Sequence, residues 1–483
     1  MFWGTRKAEA QAFPQPKVDY YEKIGIIIKI AGVAQLVEQR FRKARVGGSI
    51  PLASFFLPIR VFNMAKFTHI LSNRNFFLLW MGQIISQLGD RLGQMALIAF
   101  VYLRTPGSSF EIAKTLSFTI LPVFLIGPLA GVYVDRWNRR KTMYFCDFIR
   151  AALVVTIPAF LFYSRNLSWI YCIIFIIFSI GRFFVPAKLS VIPEVVEEKD
   201  LLIANSLINT TGMIAAILGF GISGVIVEWL GAKSGFYLDS LSFLVSGLLI
   251  FAIVKKHGGG SASRKTGDTA LLHIRKSVLH EIKDGILYFI KEKDIRFTAG
   301  IMFILWAALG AVYVVIIVFV QETLHSATKD LGLLIMFLGI GLFLGSLAYG
   351  RFGHKISHYK TIFSALILSG LMVILFALGI NRYPFFSVAA TLSLILGLSI
   401  APIMIATNTI IHKVSQNHML GKIFSSLEII MHLGFLLFMF LSSILAEKIP
   451  PLYILVFVGS IISIIGIINL ILNRRIPWLN GIS

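Results

Sequence analysis

Apolar residues run through most of the chain in blocks of twenty or more, broken at short intervals by polar segments. About 20 helical residues cross a bilayer core of about 30 Å. That ruler predicts twelve membrane-spanning helices. Those of the first half fall at 75–103, 111–134, 142–164, 167–189, 203–228 and 236–254. Those of the second half fall at 295–320, 328–350, 361–380, 384–411, 422–446 and 450–473. The expected fold class is an all-α polytopic membrane protein with two six-helix halves, 64–254 and 295–473, and a short tail at 474–483.

The one long polar stretch, 255–294, separates the halves. It opens as Lys255-Lys256-His257-Gly258-Gly259-Gly260-Ser261, a flexible linker composition. It continues with Leu271, Ile274, Val278, Ile282, Ile286 and Phe289 at helical spacing. The spacing predicts an amphipathic helix, lying at the cytoplasmic surface or docked on the loops. Residues 1–63 follow a different pattern. Their apolar run Ile24–Ile30 is too short to span and is broken by Lys29, and Ala31–Phe56 resembles a transfer-RNA gene read as protein. They are expected to be a non-native or disordered extension, with translation starting at Met64.

Composition supports this reading. Of 483 residues, 57% are hydrophobic and 14% charged, far from the balance of a soluble domain. Two cysteines are too few for a zinc site, and the sequence has no phosphate-binding loop of the G-x-x-x-x-G-K-[ST] kind. No cofactor, metal or enzymatic activity is expected. The net charge of +22 does not indicate nucleic acid, because the basic residues gather in the short segments on one side of the spans. The other side holds only Arg104, Lys114, Arg165, Lys233, Lys329, Arg382 and Lys448. Positive-inside bias places both termini and the linker in the cytoplasm.

The segment after the second span reads Gly127-Pro128-Leu129-Ala130-Gly131-Val132-Tyr133-Val134-Asp135-Arg136-Trp137-Asn138-Arg139-Arg140-Lys141. Gly127 and Gly131 form a GxxxG face suited to close helix approach. Arg136, Arg139 and Arg140 can bridge to carboxylates on adjacent spans. Asn138 stands at a turn position where a left-handed backbone is tolerated. A weaker echo, Ser346-Leu347-Ala348-Tyr349-Gly350 running to Lys360-Thr361, follows the eighth span and points to duplicated halves.

The Asp135 segment resembles the loop 2–3 signature of the major facilitator superfamily, G-x-x-x-D-R-x-G-R-[RK], with Asn138 in place of glycine. The segments Asn75–Gln83, Gly89-Asp90, Phe184-Val185-Pro186-Ala187, Ala204-Asn205-Ser206-Leu207 and Phe236–Phe243 are similar to its drug and macrolide efflux branch, which includes siderophore exporters. The resemblance implies that Gly131, Asp135, Arg136, Arg139 and Arg140 form a charge lock that steadies the outward-open state. It also implies an arginine in the fourth span, here Arg182. The antiporter element G-P-x-x-G-G of span 5 is degraded to Gly219-Phe220-Gly221-Ile222-Ser223-Gly224.

Gln83, Gln87, Asp90 and Gln94 of span 1 form one narrow polar stripe at helical spacing. A carboxyl in mid-membrane needs a partner or a proton, and Asp90–Arg182 is the expected pair. Asp147 and Arg150 are read as supports for the charge loop, and Asp239 as structural. In span 11, Ser425, Glu428 and His432 share a face on which a carboxylate and an imidazole can relay protons. Asn205, Asn209 and Asn408 are candidate cavity contacts. The expected function is proton-antiport export of an amphipathic small molecule, drug-like or siderophore, by a monomer in the cell inner membrane. Its partners are substrate, protons and lipid. A lysophospholipid flippase is the nearest alternative, because Pro186-Ala187-Lys188 and Glu194 also resemble that group. A transport-inactive membrane sensor or scaffold is a more distant one.

Overall fold

The computed structural model of the chain describes residues 69–134, 136–163, 168–254, 292–353, 356–414 and 420–473. The N-terminal extension, Asp135, the amphipathic run at 271–289 and the tail at 474–483 lie outside the described residues.

Among the described residues twelve α-helices follow one another: α1 (Arg74–Arg104), α2 (Ser109–Leu125), α3 (Gly127–Val134), α4 (Arg139–Tyr163), α5 (Ser168–Val195), α6 (Leu201–Phe251), α7 (Lys293–Leu324), α8 (Lys329–Phe352), α9 (His358–Arg382), α10 (Phe386–Val414), α11 (Leu420–Ala446) and α12 (Pro451–Asn473). Side chains at the ends explain several boundaries. The Asn73 side chain accepts from the Asn75 and Phe76 amides to start α1, and Ser108 accepts from Glu111 to start α2. Asn138 accepts from the Lys141 amide at 3.0 Å to start α4. Asn138 therefore works as an N-cap, and the left-handed backbone tolerated at that position is not adopted: among described non-glycine residues only His325 has positive φ.

Nine helical stretches among the described residues are long and apolar enough to cross a membrane, one of them 54 residues long, Glu198–Phe251. That stretch is two arms. Gly231 sits at φ 82°, ψ 160°, backbone open essentially to glycine alone, and the chain reverses there. Contacts with α1 prove the reversal. Gln87 and then Arg91 meet Gly212 and then Gly219 of the first arm, in parallel order. Gly82, Gly89 and Gly93 meet Ser246, Ser242 and Asp239 of the second arm, in antiparallel order.

Three helix starts of the second half repeat those of the first at one offset. Lys293 opens α7 as Arg74 opens α1 (293 − 74 = 219), and His358 opens α9 as Arg139 opens α4 (358 − 139 = 219). Leu420 opens α11 as Leu201 opens α6 (420 − 201 = 219). Packing repeats too: α7 lies on α11, α8 on α10 and α9 on α12, as α1 lies on α6, α2 on α5 and α4 on α6. The fold is that of a multi-pass, all-helical membrane protein built from two related bundles.

The halves meet mainly through α6 with α8 and α2 with α11. A Cβ on Gly224 would stand 2.6 Å from the Thr328 carbonyl oxygen and 3.0 Å from the Gly332 Cα, so the two backbones touch. The Glu228 carboxylate accepts from the Thr328 amide at 2.7 Å, Lys329 at 3.2 Å and Ala327 at 3.3 Å, satisfying the start of α8 from the other half. Glu447 returns the contact, accepting from the Phe110 amide at 3.1 Å and the Ser108 hydroxyl at 2.9 Å at the start of α2. Of the glycines kept in the degraded span 5 element, Gly221 and Gly224 thus face α8 of the other half, whereas Gly219 packs against Arg91 and Leu88 of α1 within the first.

Candidate functional site

The polar stripe of α1 divides between two neighbours. Gln83 is buried inside the first half, its Oε1 without a hydrogen-bond partner among the described residues, so it faces protein and not a shared cavity. Gln87 lies against Gly212 of α6. Gln94 accepts from Arg91 at 2.9 Å, and the Arg91 guanidinium covers the Phe220 ring at 4.6 Å.

Asp90 pairs with Arg150 of α4, Nη2 to Oδ1 at 2.5 Å. This corrects the expected Asp90–Arg182 pair. Arg150 stands 11 residues into α4 and projects from it toward α1, with its guanidinium carbon 3.8 Å from the centre of the Phe243 ring. A cation over an aromatic face is held electrostatically, the more so when desolvated. Its side chain is 10% exposed against 32% for Asp90. Arg150 also approaches Asp147 at 3.8 Å, and Asp147 is fully buried and accepts from the Ser246 hydroxyl at 2.6 Å. Arg150 and Asp147 therefore belong to the membrane-embedded cluster and do not brace the loop, as the sequence had suggested. Asp239, on the second arm of α6, is the third carboxylate of the same cluster and acts electrostatically on both Arg150 and Asp90. One turn of α4 separates Asp147 from Arg150, so the i, i+3 spacing gave some signal of a pair. The approach of α1 and α6 gave none.

Arg182 of α5 is half-buried, and the charge acting on it most strongly is that of Glu428 on α11, ahead of Arg150 and Asp90. It thus faces the other half. His432 does not reach the Glu428 carboxylate. Its Nδ1 lies 2.8 Å from the Glu428 backbone oxygen, and its ring sits 5.0 Å from Trp306 and 6.0 Å, edge to face, from Phe124. The i, i+4 backbone contact engages Nδ1 locally, so the expected side-chain pairing of carboxylate and imidazole is not made in this structure. Asn205 donates to the Leu201 carbonyl one turn back at 2.9 Å, whereas Asn209 and Asn408 are half-buried.

At the loop after α3, Arg139 pairs with Glu194 of α5 at 2.8 Å, with both side chains largely exposed. Arg140 donates to the backbone oxygens of Ile253 and Phe251, closing the end of α6. Arg136 is exposed. Gly127 and Gly131 have no described heavy atom within 4 Å of where a Cβ would stand, so they do not make the close helix contact expected of a GxxxG face. Asp135, the acid of the expected lock, lies outside the described residues.

A family described as transmembrane secretion effector matches residues 67–422. The uncharacterized MFS-type transporter YkuC of Bacillus subtilis (strain 168) is 27% identical over 365 residues, covering 73% of this chain and 81% of YkuC. Macrolide efflux protein A of Streptococcus pyogenes is 23% identical, covering 83% of this chain and 96% of that protein. Among solved structures, a bacterial homologue of the iron transporter ferroportin in its inward-facing state superposes with a TM-score of 0.62 at 12% identity, covering 82% of this chain and 98% of the other.

Proposed function

Because the chain belongs to the transmembrane secretion effector family of major facilitator transporters, we propose that it exports an amphipathic small molecule, drug-like or siderophore, by proton antiport and alternating access. One observation carries the reading: an acid–base cluster of Asp90, Asp147, Asp239 and Arg150 gathered inside the helical bundle of the first half. Charge at that depth costs about 3 kcal/mol per residue even on the lenient insertion scale, and a protein that only needed to sit in lipid would not carry it. The efflux role of the macrolide relative supports the direction of transport.

With α1 as one crossing, α2 and α3 together as another and α6 as two, the chain crosses the membrane twelve times. Both termini then lie in the cytoplasm of a cell whose inner membrane holds the protein as a monomer. The Glu228 and Glu447 contacts then lie on the outer side, where they hold the two halves together. In this cycle Asp90 alternates between Arg150 and a proton, and its neutral and charged forms favour different access states, which converts a pH gradient into work. Arg182 and Glu428, facing each other across the halves, are the remaining charges that substrate meets. Asp135 with Arg136, Arg139 and Arg140 biases the same equilibrium from the cytoplasmic edge.

The test is transport in proteoliposomes under an imposed proton gradient, offered erythromycin, ethidium, a siderophore and a lysophospholipid in turn. Asp90→Asn is expected to keep substrate exchange and lose gradient-driven accumulation. Full accumulation by that variant sinks the role of Asp90. Gradient-independent movement of lysophospholipid by the unaltered protein would favour a flippase instead.

A further inference from the structure

Three carboxylates share one guanidinium in the core of the first half. Arg150 takes Asp90 at 2.5 Å and approaches Asp147 at 3.8 Å, and Ser246 donates to Asp147 at 2.6 Å. Asp239 is the one left over. It is 5% exposed, and its Oδ1 has no hydrogen-bond partner among the described residues. It presses on bare backbone: a Cβ on Gly93 would stand 2.2 Å from its Oδ2, and one on Gly89 2.9 Å from its Oδ1. The charges around it come from each packed helix. On α1 there is Asp90, while Arg91 is turned onto Phe220. On α4 there are Asp147 and Arg150. Arg182 and Lys188 of α5 act on Asp90, and the groups acting on Asp239 are Asp90 and Arg150.

A small cavity of about 30 Å³ is lined by both Asp90 and Asp239, with Gln94 at its side and Leu97, Val154, Ile157 and Phe236 as apolar wall. That volume admits one water molecule. Two carboxylates that line one small cavity, with the nearest guanidinium already paired to Asp90, resist ionising together.

We propose that Asp239 holds a resident proton and exchanges it with Asp90 through this one-water cavity. The transfer balances: the Asp239 O–H bond breaks toward the water, the water passes a proton to a carboxylate oxygen of Asp90, and the water is restored. Asp90 becomes neutral and releases Arg150, while Asp239 becomes the anion that Arg150 faces, so the cluster's charge is unchanged. The buried guanidinium thereby turns from α1 toward the second arm of α6. The use of this step in coupling rests on the antiport reading above, but the resident proton does not.

The resident proton is tested by infrared spectroscopy of the full chain in liposomes at neutral pH, in H₂O and D₂O. A protonated-carboxyl C=O band is expected in the unaltered protein, retained in Asp147→Asn and lost in Asp239→Asn, with Asp239→Glu restoring it. Absence of the band in the unaltered protein, or its persistence in Asp239→Asn, overturns the proposal. The transfer is tested with ethidium: Asp239→Asn should keep counterflow and lose gradient-driven accumulation at least tenfold. Full accumulation means a stationary proton and overturns the transfer. No gradient effect in the unaltered protein removes the antiport reading, and the transfer with it, while the infrared result stands by itself.

Discussion

Glu228 and Glu447 do the same work from opposite halves: each carboxylate accepts backbone amides at the first turn of a helix belonging to the other bundle. Their separation, 447 − 228 = 219, is the offset that relates the halves, so the two contacts are copies of one device. An anion at a helix N-terminus satisfies amides that have no partner inside the helix and meets the positive end of its dipole.

Loss of these caps should open the outer end. A side-chain cap contributes about 1 kcal/mol, so Glu228→Gln is expected to shift the two-state equilibrium about fivefold toward the outward-open form. Glu447→Gln should do less, because Glu447 is more exposed. Spin labels on Leu230 and Tyr383, exposed positions in different halves, report the change as a longer distance. An unaltered distance distribution in the double variant would show that the caps do not set the equilibrium.

The glycine contact predicts the same direction by another route. A Cβ on Gly332 would stand 2.4 Å from the Phe220 carbonyl oxygen, backbone that cannot yield as a side-chain tip can. Gly332→Ala should therefore push the halves apart at that end with little effect on thermal unfolding of the separate bundles. The same label pair distinguishes opening from unfolding.

Within the first half, Gly93→Ala should be costly. The added methyl collides with the Asp239 carboxylate, and overpacking of this kind costs about 1–3 kcal/mol. Gly131→Ala, which meets open space, should be neutral or better. Melting temperatures in detergent compare them, and equal effects would contradict the packing described.

Arg139 and Arg140 are adjacent but should differ. The exposed Arg139–Glu194 pair is worth at most about 1 kcal/mol. Arg140 closes two backbone carbonyls at the end of α6, and hydrogen bonds made by charged groups contribute about 1.5–3 kcal/mol. Arg140→Ala should lower stability more than Arg139→Ala in urea or heat. The reverse order would place the stabilising contact at Glu194.

Periodicity carried the helices and the repeated plan of the two halves, because crossing lipid forces a length and a composition on each segment. It also singled out Asp90, since a carboxylate in an apolar run has few innocent explanations. What it could not carry was pairing between helices. Angles around one helix place Asp90 on a stripe, but whether α4 or α5 supplies the cation depends on how the helices lean. For that reason Arg182 was expected where Arg150 stands. Asp239 looked structural because nothing in its local sequence reveals Gly89 and Gly93 lying against it. Glu228 and Glu447 went unnoticed, although aligning the halves at their common offset superimposes the two glutamates and would have exposed them.

The contact between Gly224 and Gly332 has a consequence for energetics. At that point the backbones meet without side chains, so parting them there forfeits little hydrophobic free energy, whereas Met336 against Gly221 and Ile217 against Gly339 pack apolar side chains farther along the same helices. The glutamate caps beside them can trade amides for water at a similarly small net loss. Parting this end of the seam is therefore inexpensive, and on the alternating-access reading proposed above that brings the two access states close in energy. Near-degeneracy suits a carrier that must visit both states in every turnover. A difference of about 1.4 kcal/mol already skews occupancy tenfold, so in the proposed cycle one proton or one bound molecule is enough to decide which side the protein faces.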